Sequence, residues 1–296
     1  MPIVAANGIE ICFDTFGDPA DPPLLLVMGF GAQMTAWREG FCQRLADGGR
    51  YVIRFDNRDV GLSTHLDGVA VDIGAVLLAA AGQGEMPPVP YTLHDMADDA
   101  FGLLSALNID RAHIVGASMG GMIVQQMAID HPERVLSMTS IMSTTGEPHA
   151  FQADPRATAA LMGVPPTERD AYLAFAVERA RVIGSPRFFD PDRAAELAGI
   201  NFDRSFYPEG STRQLAAIRA SGDRAEGLRA LRIPTLVIHG RVDPLVLPIG
   251  GERTAELVPG ATLLMINDMA HDLPEPLWPI LCDAIISHTT HCLTPA

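Results

Sequence analysis

The sequence predicts an α/β fold: a mostly parallel central sheet flanked by helices, with a helical insertion ahead of the last two strands. Two observations predict it. Short, unbroken apolar runs alternate with helix-length stretches along the chain, and runs without polar alternation suit strands covered on both faces. Residues 145–230 interrupt that rhythm with Arg- and Ala-rich helical sequence that contains no convincing strand.

The elements follow in order. IVAA and IEICFDTF are expected to pair as a hairpin around Asn7-Gly8, a strong turn dipeptide. The buried strands are read at LLLVMG (24–29), YVIRFD (51–56), HIVGAS (113–118), VLSMTSIM (135–142), TLVIHG (235–240) and ATLLMI (261–266). Residues 92–107 have helical spacing, with Thr92 as N-cap. A second helix runs over 119–130 and stops before Pro132, and the last is expected from near Pro274 to near His288. Strand and helix in alternation imply right-handed crossovers. The chain divides into a first core part (1–144), a helical cap (145–230) and a second core part (231–296). The bulky residues of 145–230, from Phe151 to Tyr207, are assigned mostly to the cap's own core, a minority to a pocket. Residues 65–91 form a long connection suited to a lid or to a homodimer contact; the oligomeric state stays open.

Composition narrows the function classes. A chain of 296 residues with 48% apolar residues is globular and long enough for one core plus an inserted subdomain. A formal net charge of −15 argues against nucleic acid or an anionic membrane as a partner. All 21 basic residues are Arg, which excludes a catalytic lysine or a P-loop. The four cysteines are widely spaced and no zinc-like spacing occurs, so neither a metal nor another cofactor is expected. The start has no basic segment followed by an apolar core, and the apolar runs are too short to span a bilayer. The expectation is a reduced, soluble, cytoplasmic protein.

The chemistry is carried by one motif and two loops. GASMG (116–120) fits G-x-S-x-G, and it lies between an apolar run and a helical stretch, as a nucleophile elbow requires. Ser118 is the expected nucleophile. Gly116 and Gly120 remove side chains that would clash in so tight a turn. A serine needs a base and the base an orienting acid. Of nine histidines, His271 alone sits in a loop directly after the last strand, at the sheet edge where function gathers; His113 and His131 look structural. Asp243 follows the preceding strand, giving the chain order Ser, Asp, His; Asp268 and Asp272 are closer rivals but too local to reach the far ring nitrogen comfortably. The oxyanion donors are expected to be the backbone N–H groups of Met119 and of Phe30, in the loop MGFG where Gly29 and Gly31 allow close approach.

MGFG, FDNRDVGLST, VGASMGG, HGRVDP and the final MAH together resemble the α/β-hydrolase superfamily over nearly the whole chain. The chain departs from that pattern at Met28, where the family usually has His, at Asp59, where it often has Gly, and at Ala270, where it often has Gly. LLVMG and DNRDVGLST resemble a subgroup that includes aclacinomycin methyl esterase and related bacterial carboxylesterases and lipases. The resemblance implies hydrolysis of hydrophobic small-molecule carboxylic esters, with Asp56 and Arg58 in a structural segment below the site. The same triad serves cofactor-free perhydrolases and haloperoxidases, and lactone and C–C bond hydrolases. A catalytically silent ligand-binding protein is the reading from another class.

Overall fold

The structure, a computed structural model, describes residues 1–291, the side chain of His291 excepted; Cys292 lies outside them. Among the described residues, eight strands form one sheet. They are β1 (Ile3–Ala6), β2 (Ile9–Phe16), β3 (Pro23–Val27), β4 (Tyr51–Phe55), β5 (Ala112–Ala117), β6 (Val135–Ile141), β7 (Thr235–Gly240) and β8 (Thr262–Ile266). Their order is β1-β2-β4-β3-β5-β6-β7-β8. The first two strands run antiparallel to their neighbours and the rest are parallel. β1 and β2 meet through Asn7 and Gly8, both at positive φ (47° and 77°), the backbone a two-residue hairpin of this twist needs.

The helices follow from the same alternation. Ahead of the insertion they are α1 (Glu39–Asp47), α2 (Ile73–Ala80), α3 (Leu93–Ala106) and α4 (Met119–Asp130). The insertion carries α5 (Pro155–Met162), α6 (Arg169–Ile183), α7 (Pro191–Arg204), α8 (Glu209–Ala220) and α9 (Ala225–Ala230), and α2 packs on insertion helix α8. α10 (Ile249–Leu257) and α11 (Trp278–His291) close the chain. Thr92 caps α3, its N–H donating to Asp95 Oδ2 at 2.8 Å.

The central strands are apolar throughout because both faces are covered. Leu24 and Leu26 pack with Phe41, Leu45, Trp278 and Leu281 of α1 and α11. Leu25 and Val27, pointing the other way, pack with Phe101, Leu104, Ile123 and Met127 of α3 and α4. Two expectations need correction. β8, read as covered on both faces, has Thr262 and Leu263 exposed, because among the described residues it is an edge strand, paired with β7. The last helix runs on to His291, past the expected end near His288, held there in part by Arg50, which donates to Thr289 Oγ1 (2.8 Å) and the Ile286 carbonyl (3.1 Å).

The 145–230 segment is helical; Ala217, Ala225 and Leu228 join the main apolar cluster, and buried polar bonds fix the rest of its seating. Asp56 Oδ1 accepts the Met34 N–H (2.8 Å); its Oδ2 accepts the Leu62 N–H (2.9 Å) and Arg204 from α7 (2.7 Å). Asp59 takes a fork of two bonds from Arg213 of α8 (2.8 and 2.9 Å) and the Leu66 N–H (2.8 Å). Both carboxylates are fully buried. Arg58 makes a similar fork with Asp99 of α3. Asp56 and Arg58 are thus both engaged in buried ion pairs. Removing one partner of a buried pair strands the other charge. Arg213→Met is therefore expected to lose about 3–5 kcal/mol in urea unfolding, whereas a loss under about 1 kcal/mol would mean that Asp59 finds another partner.

Candidate active site

The chain leaves β3 toward β4 on one side and returns to β5 on the other, so the sheet order reverses between β3 and β5. The carboxyl ends of two strands that diverge this way leave a crevice between their loops. Phe30 follows the first of them and Ser118 the second.

Ser118 joins β5 to α4 at φ 56°, ψ −120°, a backbone that L-residues rarely adopt. Its N–H donates to the Ile141 carbonyl (2.9 Å), and its carbonyl accepts from Ser143 Oγ (2.8 Å). The glycines around it are required by distance. A Cβ on Gly116 would lie 2.0 Å from the Gly120 carbonyl oxygen, and one on Gly120 would lie 2.0 Å from that of Val27. The turn therefore presses α4 against β3 and lifts the serine side chain out of the sheet.

The structure brings the three predicted side chains into one hydrogen-bonded chain. Ser118 Oγ is 2.9 Å from His271 Nε2, and His271 Nδ1 is 2.8 Å from Asp243 Oδ2. The other carboxylate oxygen of Asp243 accepts the N–H groups of Leu245 (2.8 Å) and Val246 (2.9 Å), so both oxygens are engaged in a residue 2% exposed. The rival acids are occupied elsewhere. Asp268 pairs with Arg187 at 2.5 Å. Asp272 accepts the Ser185 N–H (3.0 Å) and the Ser185 hydroxyl, and burial pushes its carboxyl above the usual range. His239 is buried beside Asp243, 3.7 Å from Oδ2, and bonds to the Val246 carbonyl (2.8 Å). Burial outweighs the carboxylate and lowers its pKa.

The loop after β3 lies against Ser118. A Cβ on Gly29 would be 3.0 Å from Ser118 Cβ and 3.5 Å from Oγ. Polar groups on both sides of Phe30 are engaged: the Met28 carbonyl accepts Asn57 Nδ2 (2.8 Å), and the Gly31 N–H donates to Gln214 Oε1 (2.8 Å). Met119 opens α4, so its N–H has no carbonyl four residues back within the helix. A helix N-terminus also favours negative charge.

Sequence reasoning missed the residues that the insertion contributes. The Ile183 carbonyl at the end of α6 accepts the His271 N–H (3.0 Å), and Ser185 Oγ accepts the Ala270 N–H (2.8 Å). Gln214 lies on α8. The insertion thus touches both the histidine loop and the Phe30 loop. Several of its bulky residues do form its own packing, Tyr172, Phe202 and Phe206 with ring centroids 4.7–5.5 Å apart. Tyr207 instead stacks on His65 of the core at 3.8 Å.

A sequence profile of the alpha/beta hydrolase fold matches residues 22–275. The chain is 29% identical, over 97% of each chain, to rhodomycin D methylesterase DauP from Streptomyces sp. (strain C5). It is 29% identical, again over 97% of each, to rhodomycin D methylesterase DnrP from Streptomyces peucetius. Among solved structures it shares its fold with the meta-cleavage product hydrolase of Pseudomonas fluorescens IP01 (TM-score 0.77, 20% identity, 98% of each chain covered).

The packing at the turn makes a direct prediction. Gly120→Ala is expected to abolish soluble, folded protein, because its new methyl meets backbone rather than a movable side chain. Gly74→Ala on α2, whose methyl would meet only Asp72 Oδ1 at 3.4 Å, is expected to leave the melting curve unchanged or raised. Circular dichroism of both variants tests this; a well-folded Gly120→Ala would refute the close packing.

Proposed function

The chain belongs to the alpha/beta hydrolase fold family, and on that premise we propose that it is a serine esterase of hydrophobic carboxylic esters, acting through Ser118, His271 and Asp243. The observation that carries this reading is the unbroken relay from Ser118 Oγ through both ring nitrogens of His271 to a buried carboxylate. Geometry of this kind is what makes a hydroxyl a nucleophile.

In this reading His271 Nε2 takes the Ser118 proton as Oγ attacks the ester carbonyl. Asp243 fixes the tautomer with the proton on Nδ1 and stabilises the imidazolium that forms. The carbonyl oxygen becomes an oxyanion, met by the backbone N–H groups of Met119 and Phe30 and by the positive end of α4. His271 returns the proton to the leaving alcohol. Water, activated by the same base, then releases the acid from the acyl-enzyme. The helices of 145–230 act as the cap that shapes an apolar pocket and limits water.

The names of the two methylesterase relatives support carboxylic esters as substrates, and they put methyl esters first among those to try. They also agree with the subgroup that the motifs LLVMG and DNRDVGLST point to. Lactone, peracid and C–C bond chemistry would use the same three residues and are separated from ester hydrolysis only by experiment.

Two measurements test the reading. Wild type is expected to hydrolyse short p-nitrophenyl and methyl esters and to be labelled by a fluorophosphonate, and Ser118→Ala is expected to lose both. Labelling without ester turnover would move the substrate to the lactone, peracid or C–C class. Neither signal from folded protein would favour the binding-protein reading. Asp243→Asn is expected to lower kcat by about 10⁴-fold with the melting temperature little changed, and near-normal turnover would pass the role to another carboxylate.

A further inference from the structure

Gln214 sits on α8 of the insertion, fully buried, 183 residues from the loop it touches. Its side-chain oxygen accepts the Gly31 N–H at 2.8 Å, and its side-chain nitrogen donates to the Arg58 carbonyl at 2.9 Å. The two partners agree on which end of the amide is oxygen, since one is a donor and the other an acceptor. One turn earlier, Ser211 Oγ lies 2.9 Å from where a Cβ on Gly31 would stand, and Gly31 has φ +63°. The loop after β3 is therefore pressed against α8 in a conformation suited to glycine.

Fixing the Gly31 N–H has a geometric consequence one peptide earlier. The Phe30–Gly31 peptide is held by Gln214, and the Met28 carbonyl is held by Asn57. The Gly29–Phe30 peptide, which carries the Phe30 N–H, lies between these two anchors, and its own carbonyl accepts the Ala32 N–H at 3.3 Å, so Gln214 acts on one side of a turn that the loop itself closes. We infer that Gln214 is a positioning residue for the oxyanion hole: its amide, supplied by the insertion, aims the Phe30 N–H at the carbonyl oxygen under attack. The inference rests on the serine esterase reading above. It differs from a role in simply satisfying two buried backbone groups, which would affect stability but not the transition state.

The experiment compares wild type with Gln214→Met and Gln214→Glu. Losing an oxyanion donor outright lowers kcat by about 10²–10³-fold. A misaimed donor should cost part of that, so Gln214→Met is expected to lower kcat by about 10–100-fold, with KM changed by less than about 3-fold. A trifluoromethyl ketone, which forms an oxyanion adduct on the serine, should weaken in parallel with kcat/KM. The matching secondary alcohol, which forms none, should bind as before. Unchanged kcat, or equal weakening of ketone and alcohol, would overturn the inference.

If Gln214→Met does not fold, Gln214→Glu decides. A protonated Glu presents the same donor and acceptor as Gln, and ionisation removes the donor and buries a charge beside the developing oxyanion. Its kcat should approach wild type on the acid side of the wild-type plateau and fall as pH rises, where wild type is flat. A profile that superimposes on wild type would overturn the inference. Wild type that neither labels with a fluorophosphonate nor hydrolyses esters would overturn the esterase reading and this inference with it, whereas active wild type with indifferent variants would overturn only the inference.

Discussion

Ser118 holds a backbone conformation that costs about 1–3 kcal/mol, and the surrounding structure is arranged to enforce it. α4 cannot relax away from β3, because Gly120 packs against the Val27 carbonyl with no room for a methyl group. Gly116 and Gly120 close the turn on itself in the same way. The result is a hydroxyl that stands clear of the sheet at the first turn of a helix, within 2.9 Å of an imidazole from a loop 153 residues later. Without the strained turn, the serine would be one more polar group at a strand end.

Buried charge does a different job. Asp56 and Asp59, three residues apart after β4, each receive an arginine from the insertion and an N–H group from their own loop. Pairs of this kind add little net stability against well-packed apolar side chains, yet a mismatched partner leaves a stranded charge. They therefore select one seating of α7 and α8 on the core over others. That seating sets where Gln214 meets Gly31, while α6 meets the histidine loop through the Ile183 carbonyl. Stability, in this corner of the protein, serves the placement of two loops.

Much of this was legible in the sequence because it is local. Unbroken apolar runs mark β3 through β7, where helices cover both faces, and the same rule fails for β8, whose position at the edge no local pattern announces. Ser118 could be found from a five-residue motif in its strand-turn-helix setting. His271 and Asp243 followed from their loops at the sheet's carboxyl edge, and the choice of Asp243 over Asp268 and Asp272 agrees with the bonds each makes. Gln214 and Ser185 were not legible. Their partners are backbone groups far along the chain, and a backbone N–H leaves no mark on residue type. Asp59 was visible only as a departure from a familiar pattern. The structure supplies its reason, a carboxylate at φ 66° that a glycine could not replace as a partner for Arg213.

Asp59 and Arg213 have a further consequence for how this sequence can change. A glycine at position 59 would relieve the left-handed backbone, but it would take the countercharge from an arginine that is 5% exposed, leaving it the Val69 carbonyl and the Tyr207 hydroxyl. An apolar residue at 213 alone would leave the aspartate with the Leu66 N–H but no countercharge from Arg213. Neither single step is neutral, although a chain with glycine at one site and an apolar residue at the other would lack both faults. The two positions, 154 residues apart, are therefore bound by epistasis: descendants cross from one arrangement to the other together or by way of a weakened intermediate. Grafting this insertion onto a relative that carries glycine at the position of Asp59 would meet the same barrier, so the segment after β4 and helix α8 are best regarded as one heritable unit.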